Sequence, residues 1–385
     1  MNGTIGFDAP APTGTINFGL GQPSADLLPL ELIRQASEAY FREATPSELN
    51  YGDLPGDARF LDSLAGYLSD GYGVTTDAGA LFVTGGCSQA LDLVSTVFAE
   101  PGDTIFVEEP SYFLAFRIFR DHGLNTVPIP VDDDGLDLEH LQRELGKHQP
   151  AFIYTIPAYQ NPGGQTLSAE RRRKLVELSQ QRDFLIVADE VYHLLSYRGE
   201  PPPALGTMIE SDTVISLGSF SKILAPGLRL GWIHTSDGLR QRLLAGGFVN
   251  AGGSINHYTS HIVRLVIDLG LLEKHVISLR RSLSSRVNAM DTALQEYFSG
   301  IAQWSRPDGG YFFWLKFSDN VDLTPLKKKA VALETGFQPG ALFSSRGSLH
   351  NCLRLSFAHY DEEDIVKGIA RLRALFDPAE EIGDG

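Results

Sequence analysis

The middle of the chain alternates short apolar runs with amphipathic segments. Six runs rich in β-branched and aromatic residues predict strands near residues 80–86, 104–109, 125–131, 151–157, 184–190 and 213–219. The segments between them predict helices over residues 88–100, 112–121, 137–145 and 168–181. Several runs are apolar on both faces, as in strands that helices cover on both sides. The alternation indicates an α/β fold with a mainly parallel, mixed sheet.

The pattern changes after about residue 250. Apolar residues at three- and four-residue steps from Glu273 to Phe298 predict one long amphipathic helix, and short strands are expected at 310–317, 341–343 and 352–357. This part predicts a smaller α+β domain. We therefore expect a large domain over residues 46–275 and a small C-terminal domain over 276–385 that includes the long interdomain helix. Residues 1–45 are expected to join the small domain, and the acidic tail is expected to fray.

Composition narrows the classes of function. The chain has 385 residues and a formal net charge of −16, which disfavours nucleic acid and anionic membranes as partners. No apolar run approaches the ~20 residues of a membrane span, and the first residues lack a secretory signal. Cys87 and Cys352 offer no disulfide framework, and the histidines form no metal-ligand cluster. We expect a cytoplasmic protein without a metal site.

The segment SLGSFSKILAPGLRLGW, residues 216–232, places Lys222 at the carboxyl end of a predicted strand, where α/β sheets bind ligands. An isolated lysine in a proline–glycine turn would simply be an exposed loop residue. Here Ser219, Ser221 and Arg229 lie close in sequence, and hydroxyls with a guanidinium form a good anion site. A lysine amine near such a site can have a lowered pKa and act as a Schiff-base nucleophile.

This segment resembles the lysine segment of the fold-type-I pyridoxal-phosphate enzymes, the class I and II aminotransferases, and their aminoadipate and multi-substrate branch in particular. The resemblance implies a homodimer with shared active sites. It also implies that pyridoxal 5′-phosphate serves transfer of an amino group between an α-amino acid and a 2-oxo acid, with glutamate and 2-oxoglutarate as one pair. Lys222 would bind the cofactor as a Schiff base and move the substrate proton. Ser219, Ser221 and Arg229 would hold the phosphate or order the loop.

Two further segments carry residues that this family places on the cofactor ring. In FLIVADEVYHLL an apolar strand ends at Asp189, which the resemblance pairs with the pyridine nitrogen. Tyr192 follows, and the resemblance places its hydroxyl on the phenolate oxygen. A strand ending in a solvated acid would show the same local pattern. IPAYQNPGGQ contains Asn161, which the resemblance places on the phenolate oxygen and beside the substrate. Gly163 stands where the family usually has threonine.

The segment ALFVTGGCSQALDLV joins a strand to a helix through two glycines. Backbone amides at a helix N-terminus bind phosphate, and the resemblance assigns this role to Gly86, Cys87 and Ser88. Cys87 stands where serine is usual, and its thiol is the weaker donor. A catalytic thiol is the alternative for Cys87, although no base is evident nearby.

Four more residues match the family in separate segments. Tyr112 would stack on the cofactor ring, or be a core aromatic at a helix start. Tyr51 would reach the phosphate of the neighbouring subunit, and Gly21 would lie in an N-terminal loop that closes over the substrate. Arg354 lies in the otherwise apolar run CLRLSF, where an unpaired arginine needs an anionic partner. The resemblance supplies the substrate α-carboxylate.

Two expectations concern the pocket and the surface. Phe18, Leu20, Tyr112 and Phe343 suggest a partly apolar substrate pocket. The basic run at 171–174 is expected to form a solvated helix face.

Three other functions remain open. A pyridoxal-phosphate lyase, decarboxylase, racemase or synthase would use the same carbanion, so the Lys222 segment does not exclude it. A non-catalytic, ligand-sensing aminotransferase-like regulator would need a basic DNA-binding domain, which the acidic chain disfavours. A Rossmann oxidoreductase is disfavoured because Gly19 and Gly21 lack the third glycine of the dinucleotide fingerprint.

Overall fold

The computed structural model describes residues 14–377. The expectations for the first residues and for the acidic tail after residue 377 lie outside the described residues. The helices are α1 (Leu30–Glu43), α2 (Ala58–Tyr72), α3 (Cys87–Phe98), α4 (Phe113–Asp121), α5 (Leu138–Leu145), α6 (Ala169–Arg182), α7 (Asp237–Leu244), α8 (Gly247–Gly252), α9 (His257–Asp268), α10 (Leu271–Phe298), α11 (Leu326–Ala332) and α12 (Glu362–Arg373).

The strands are β1 (Ile16–Asn17), β2 (Leu81–Thr84), β3 (Thr104–Glu109), β4 (Asn125–Asp132), β5 (Gly135–Leu136), β6 (Phe152–Thr155), β7 (Leu185–Asp189), β8 (Val214–Ser219), β9 (Gly231–Thr235), β10 (Ala302–Gln303), β11 (Phe312–Phe317), β12 (Thr335–Gly336), β13 (Gln338–Pro339) and β14 (Cys352–Ser356). Eight of them form the large sheet in the order β2-β9-β8-β7-β6-β3-β4-β5. Strands β8, β7, β6, β3 and β4 are parallel, whereas β9 runs antiparallel to β2 and β8. The predicted α/β fold with a mainly parallel, mixed sheet is confirmed.

Both faces of the large sheet are buried, which explains why its strands are apolar runs without clear alternation. Successive residues of each parallel strand belong to opposite cores, as the two-residue repeat of a strand requires. One core includes side chains of α5 and α6, and the other includes side chains of α2, α3, α4, α10, β11, β14 and α12. The residues that point to the first core are Phe106, Ile153, Ile186 and Val214, and those that point to the second are Val107, Tyr154, Val187 and Ile215.

The C-terminal part contains an antiparallel sheet in the order β10-β11-β14-β13, beside which α10 packs against α12. The N-terminal strand β1 pairs in parallel with β12, with Ile16 opposite Thr335. The long predicted helix is present as α10. The prediction of a strand at 341–343 is wrong, because Gly340–Phe343 form a 3-10 turn. A Cβ at Gly340 would lie 2.4 Å from the carbonyl oxygen of Leu349, so the chain folds back tightly here.

The basic run on α6 is not a uniformly solvated face, so that expectation is wrong for Arg172. Its side chain is fully buried and donates to three backbone carbonyls at 2.6–3.1 Å. Its guanidinium also lies 3.6 Å from the buried carboxylate of Glu190. These acceptors satisfy the buried charge, which would otherwise be costly. Arg173 and Lys174, the next residues, are exposed.

No helix within residues 14–377 is both long enough and apolar enough to cross a membrane. The same stretch of chain contains no group of three or more histidine, cysteine, aspartate or glutamate side chains arranged to hold a metal ion.

Candidate active site

A cavity of about 720 Å³ lies at the carboxyl ends of the parallel strands, the usual ligand position in α/β sheets. Asp189 ends β7 and Ser219 ends β8, so both side chains reach this edge of the sheet. The four-stranded antiparallel sheet contributes residues from β11, β13 and β14, and the N-terminal segment contributes residues 19–22. The cavity is therefore built by three separate parts of the chain.

The structure brings most of the predicted site residues together. Those that line the cavity are Gly21, Cys87, Ser88, Tyr112, Asn161, Asp189, Tyr192, Ser219, Ser221, Lys222, Arg229 and Arg354. Gly86 lies directly behind them, since a Cβ there would be 3.2 Å from Nη2 of Arg229. Tyr51 does not line the cavity, and 84% of this residue is exposed.

Lys222 follows β8 and points into the cavity. Its Nζ donates a hydrogen bond to the carbonyl oxygen of Gly21 at 2.8 Å, and its own carbonyl accepts one from the hydroxyl of Tyr311 at 3.0 Å. Burial, and next the positive charge of Arg354, lower the pKa of the Lys222 amine to about 8. A lysine with this pKa supplies a neutral, nucleophilic amine near neutral pH far more readily than an ordinary lysine.

Asp189 presents a carboxylate oxygen that lacks a partner. Its Oδ2 accepts a hydrogen bond from the hydroxyl of Tyr154 at 2.8 Å, whereas its buried Oδ1 accepts none within residues 14–377. Burial raises the pKa of Asp189 to about 6, against the opposing effect of the Tyr154 bond. A buried acceptor in this state suits a protonated ring nitrogen, which would fill the missing bond.

An anion site lies at the start of α3. Gly86 has a φ of 94° and precedes the first turn, whose amides receive no side-chain cap. Across the cavity the Ser221 amide donates to Oγ of Ser219 at 3.1 Å, and the two hydroxyls lie 3.0 Å apart. Arg229, in the left-handed region at φ 46°, brings its guanidinium beside Gly86. Free amides, hydroxyls and a guanidinium together suit a phosphate.

Cys87 lines the cavity, and its thiol keeps its proton. Burial, and then the charge of Asp189, raise the pKa of Cys87 well above its usual value. A catalytic thiol needs a lowered pKa, so the environment opposes that alternative.

Arg354 presents a buried guanidinium without an acidic partner in the described part of the chain. Nη1 donates to Oδ1 of Asn161 and Nη2 to the carbonyl oxygen of Gly19, both at 3.0 Å. Its Nε has no acceptor, and its Cζ lies 4.0 Å from the ring centroid of Phe312. Burial lowers the pKa of Arg354 to about 10, so it remains charged at neutral pH. This arrangement suits a carboxylate ligand.

Two tyrosines in the cavity wall keep their hydroxyl protons. Burial raises the pKa of Tyr112 to about 12 and the pKa of Tyr192 well above its ordinary value. Nζ of Lys222 lies 5.9 Å from the ring centroid of Tyr192. Both hydroxyls can therefore act as hydrogen-bond donors over the whole neutral range.

The prediction of the apolar pocket is wrong for two of its four residues, which do not line the cavity. Leu20 and Tyr112 line the cavity, but Phe18 is buried in the core against Tyr360. Phe343 packs behind Arg354, with 4.9 Å between its ring centroid and the guanidinium carbon. Sequence reasoning missed other lining residues, namely Gly19, Gln22, Phe113, Leu114, Ile156, Val191, Pro226, Gly227, Phe312 and Gln338. Phe113, Leu114, Ile156, Val191 and Phe312 lie in apolar runs that otherwise indicate only burial.

Comparison with known proteins agrees with the resemblance drawn from the sequence. The family model for aminotransferase class I and II matches residues 13–372. Aromatic-amino-acid aminotransferase 1 of Thermococcus litoralis is 34% identical over 363 residues, which cover 93% of this chain and 87% of the relative.

Two solved structures share the fold closely. A multiple substrate aminotransferase from Thermococcus profundus superposes with a TM-score of 0.89 and 31% identity, over 94% of this chain and 91% of that one. LysN, an alpha-aminoadipate aminotransferase from Thermus thermophilus complexed with N-(5′-phosphopyridoxyl)-L-leucine, gives a TM-score of 0.86 and 30% identity, over 94% and 92% of the two chains.

Proposed function

The chain belongs to the class I and II aminotransferases, and from this premise we propose which of its residues transfer the amino group. It is an aminotransferase that acts on an α-amino acid and a 2-oxo acid. The observation that carries the proposal is the meeting of Lys222, Asp189 and Arg354 in one cavity. Lys222 offers an amine of lowered pKa, and Asp189 offers a carboxylate oxygen without a hydrogen-bond partner. Arg354 offers a guanidinium that has no acidic partner in the described part of the chain. Membership of this family favours transamination over a lyase, decarboxylase, racemase or synthase reaction.

Pyridoxal 5′-phosphate is the cofactor that these groups fit. When bound, it supplies an aldehyde that condenses with amines and a ring that accepts the electron pair released at the substrate Cα. Oδ1 of Asp189, which has no hydrogen-bond partner in the described part of the chain, would accept a hydrogen bond from the protonated ring nitrogen. Tyr192 and Asn161 would donate to the phenolate oxygen, and Tyr112 would stack on the ring. The phosphate would be held by Gly86, Cys87, Ser88, Ser219, Ser221 and Arg229.

Lys222 has two roles in the proposal. Its amine would hold the cofactor covalently and, when free, would remove the proton from the substrate Cα. The lowered pKa supports both roles, because each requires a neutral amine.

Arg354 and Asn161 orient the substrate. The Nε–H of the guanidinium has no acceptor within residues 14–377, so it can donate to the substrate α-carboxylate. Gly21 lets the N-terminal segment approach the cavity wall closely, since a Cβ there would lie 3.3 Å from the ring of Phe312. Fixing the carboxylate points the Cα proton toward Lys222, which is the positional part of catalysis.

The active form in this proposal is a homodimer in which Tyr51 reaches the phosphate site of the second copy. Support comes from the five most exposed large apolar residues of the described chain, namely Leu30, Phe41, Leu49, Tyr51 and Phe248. These residues come from α1, the 46–53 segment and α8, and α1 packs on α9. Exposed apolar surface of this kind usually marks a protein interface.

The proposal takes glutamate and 2-oxoglutarate as one substrate pair. Three cationic residues line the cavity, Lys222, Arg229 and Arg354, against the single carboxylate of Asp189. Such a cavity attracts anionic substrates. We also place the protein in the cytoplasm, a compartment that suits the two free thiols.

A half-reaction tests this function. Protein saturated with pyridoxal 5′-phosphate is mixed with one amino acid and no acceptor, and the visible spectrum should shift to that of pyridoxamine phosphate with release of a 2-oxo acid. Lys222→Ala should lose at least ~10³-fold in this rate while its circular dichroism is unchanged. Release of carbon dioxide, or cleavage of the amino acid side chain, would contradict transamination.

A further inference from the structure

Gln338 lies beside the carboxylate-binding arginine. Strand β13 pairs antiparallel with β14, and Gln338 is directly opposite Arg354. Side chains of directly opposed residues lie on the same face of a sheet, with Cβ atoms about 5 Å apart. Both residues line the cavity, and Gln338 is only 7% exposed. A buried amide in this place needs partners for its donors and its acceptor.

The orientation of the Gln338 amide follows from its neighbour Lys327. Oε1 of Gln338 accepts a hydrogen bond from Nζ of Lys327 at 3.0 Å. An ammonium group can only donate, so the oxygen end of the amide must face Lys327 and the Nε2 end must face away. Nε2 packs at Gly19, where an added Cβ would be 3.1 Å from it. No group within residues 14–377 accepts a hydrogen bond from Nε2.

We propose that Gln338 is a specificity-determining residue whose Nε2 donates to an acceptor at the end of the substrate side chain, the ω-carboxylate of an acidic amino or 2-oxo acid. This inference rests on the proposed function, which assigns the α-carboxylate to Arg354 and Asn161. Those two residues already satisfy the α-carboxylate, so a donor beside them is available to a second acceptor.

An amide in this position serves acidic and apolar substrates differently from an arginine. Its donor stabilises a carboxylate, but an apolar side chain that covers it leaves only a neutral group without a partner. The cost of an unpaired neutral donor is far smaller than that of a buried, unpaired charge. The cavity that Gln338 lines also has apolar walls, which include Leu20, Phe113 and Phe312. The same pocket therefore accepts both classes, and Gln338 sets the balance between them.

Two amino acids of equal carbon number test the role of Gln338. L-2-aminoadipate and L-norleucine share a six-carbon chain and differ in the ω-carboxylate. The measured quantity is the ratio of their kcat/KM values in the first half-reaction. Gln338→Glu keeps the volume but replaces the donor with an acceptor, and Gln338→Leu removes both. We expect the ratio to fall about 10-fold or more in Gln338→Leu, and further in Gln338→Glu. The affinity of the holoenzyme for adipate relative to hexanoate, measured by titration, should also fall in both variants.

Gln22 supplies the matched control, because it is the other glutamine that lines the cavity, and it is more exposed. Gln22→Leu should leave the 2-aminoadipate to norleucine ratio within about 2-fold of wild type, since no lysine fixes its amide. An unchanged ratio in both Gln338 variants, or a shift in Gln22→Leu alone, would overturn the inference while the proposed function stands. A wild-type enzyme that reacts with neither amino acid would instead overturn the proposed function.

Discussion

Asp189 keeps its Oδ1 without a hydrogen-bond partner, although it ends a buried strand. Lys222 and Arg354 likewise carry charge in the cavity without an opposite charge paired to them in the described part of the chain. Each of these features costs folding free energy, because buried charged groups lose hydration. Proteins keep such unfavourable groups mainly where a ligand supplies the missing partner. At this scale the chemistry of the site is visible as a set of unfilled interactions.

The charge of Asp189 can be tested by substitution. Asp189→Asn keeps the shape but cannot stabilise a positive charge on the ring nitrogen, so the half-reaction rate should fall about 100-fold or more. Tyr154→Phe is the control, since it removes the bond to Oδ2 and leaves the carboxylate, and its loss should stay near 10-fold or below. Stopped-flow absorbance would measure both rates. Equal rates in the two variants would argue against a role for the charge.

Single residues differed in how well the sequence predicted them. Lys222, Asp189 and Asn161 could be predicted through the resemblance to the family, because each lies in a separate segment that matches one of its motifs. Tyr154 and Gln338 were missed, since each lies inside a strand where burial explains its presence as well as function does. Only the three-dimensional pairing of β13 with β14 places Gln338 beside Arg354.

Among the secondary structure elements, α6 shows how one helix can combine a solvated face with a buried cation. Arg172 points inward to Glu190, which also accepts hydrogen bonds from the amides of Leu205 and Gly206 at 2.8 and 2.9 Å and from the hydroxyl of Ser216 at 2.7 Å. This network connects α6 to the segment that follows Asp189. The helix therefore holds the carboxyl end of β7 in place.

Removal of the buried arginine should destabilise the protein strongly. Arg172→Met leaves the Glu190 carboxylate buried without its cation, and the free energy of unfolding should fall by about 3–5 kcal/mol. Arg173→Ala changes the neighbouring exposed arginine, and its effect should stay within about 0.5 kcal/mol. Urea denaturation followed by fluorescence compares the two. A small effect of Arg172→Met would mean that the network contributes little to stability.

Element boundaries reflect the limits of a periodic pattern. The long strands and α10 were predictable, because their apolar repeats extend over many residues. The segment 341–343 was not, since three apolar residues fit a strand and a 3-10 turn equally well. Its conformation depends on distant contacts, in which the Glu109 carboxylate accepts hydrogen bonds from the amide and hydroxyl of Ser345, both at 3.0 Å.

On the scale of the whole molecule, the N-terminal segment connects the two halves of the site. The Gly21 carbonyl accepts a hydrogen bond from Lys222, which follows β8, and the Gly19 carbonyl accepts one from Arg354 of β14. The exposed apolar residues of α1 and α8 lie on the surface that we assign to the second subunit. The sequence motifs indicated the class of protein, but this surface comes from separate segments of the chain and could be recognised only in the fold.

The assembly can be tested by introducing a charge into the apolar surface. The wild-type protein should sediment as a dimer at micromolar concentration, and Phe248→Glu should shift it toward monomer with weaker cofactor binding, because Tyr51 would lose its partner site. Val366→Glu is the control, an exposed apolar residue of α12 that is 41% exposed. Analytical ultracentrifugation would distinguish them. Dimers of Phe248→Glu as stable as wild type would place the interface elsewhere.

The central claim is that Lys222 holds pyridoxal 5′-phosphate covalently. Borohydride reduction of the holoenzyme, followed by digestion and mass spectrometry, should find the phosphopyridoxyl group on the peptide that contains Lys222 and at no other lysine. The Lys222→Ala variant, treated in the same way, should carry no label. A phosphopyridoxyl group on a different lysine, or a wild-type protein that remains unlabelled after saturation with the cofactor, would contradict the account.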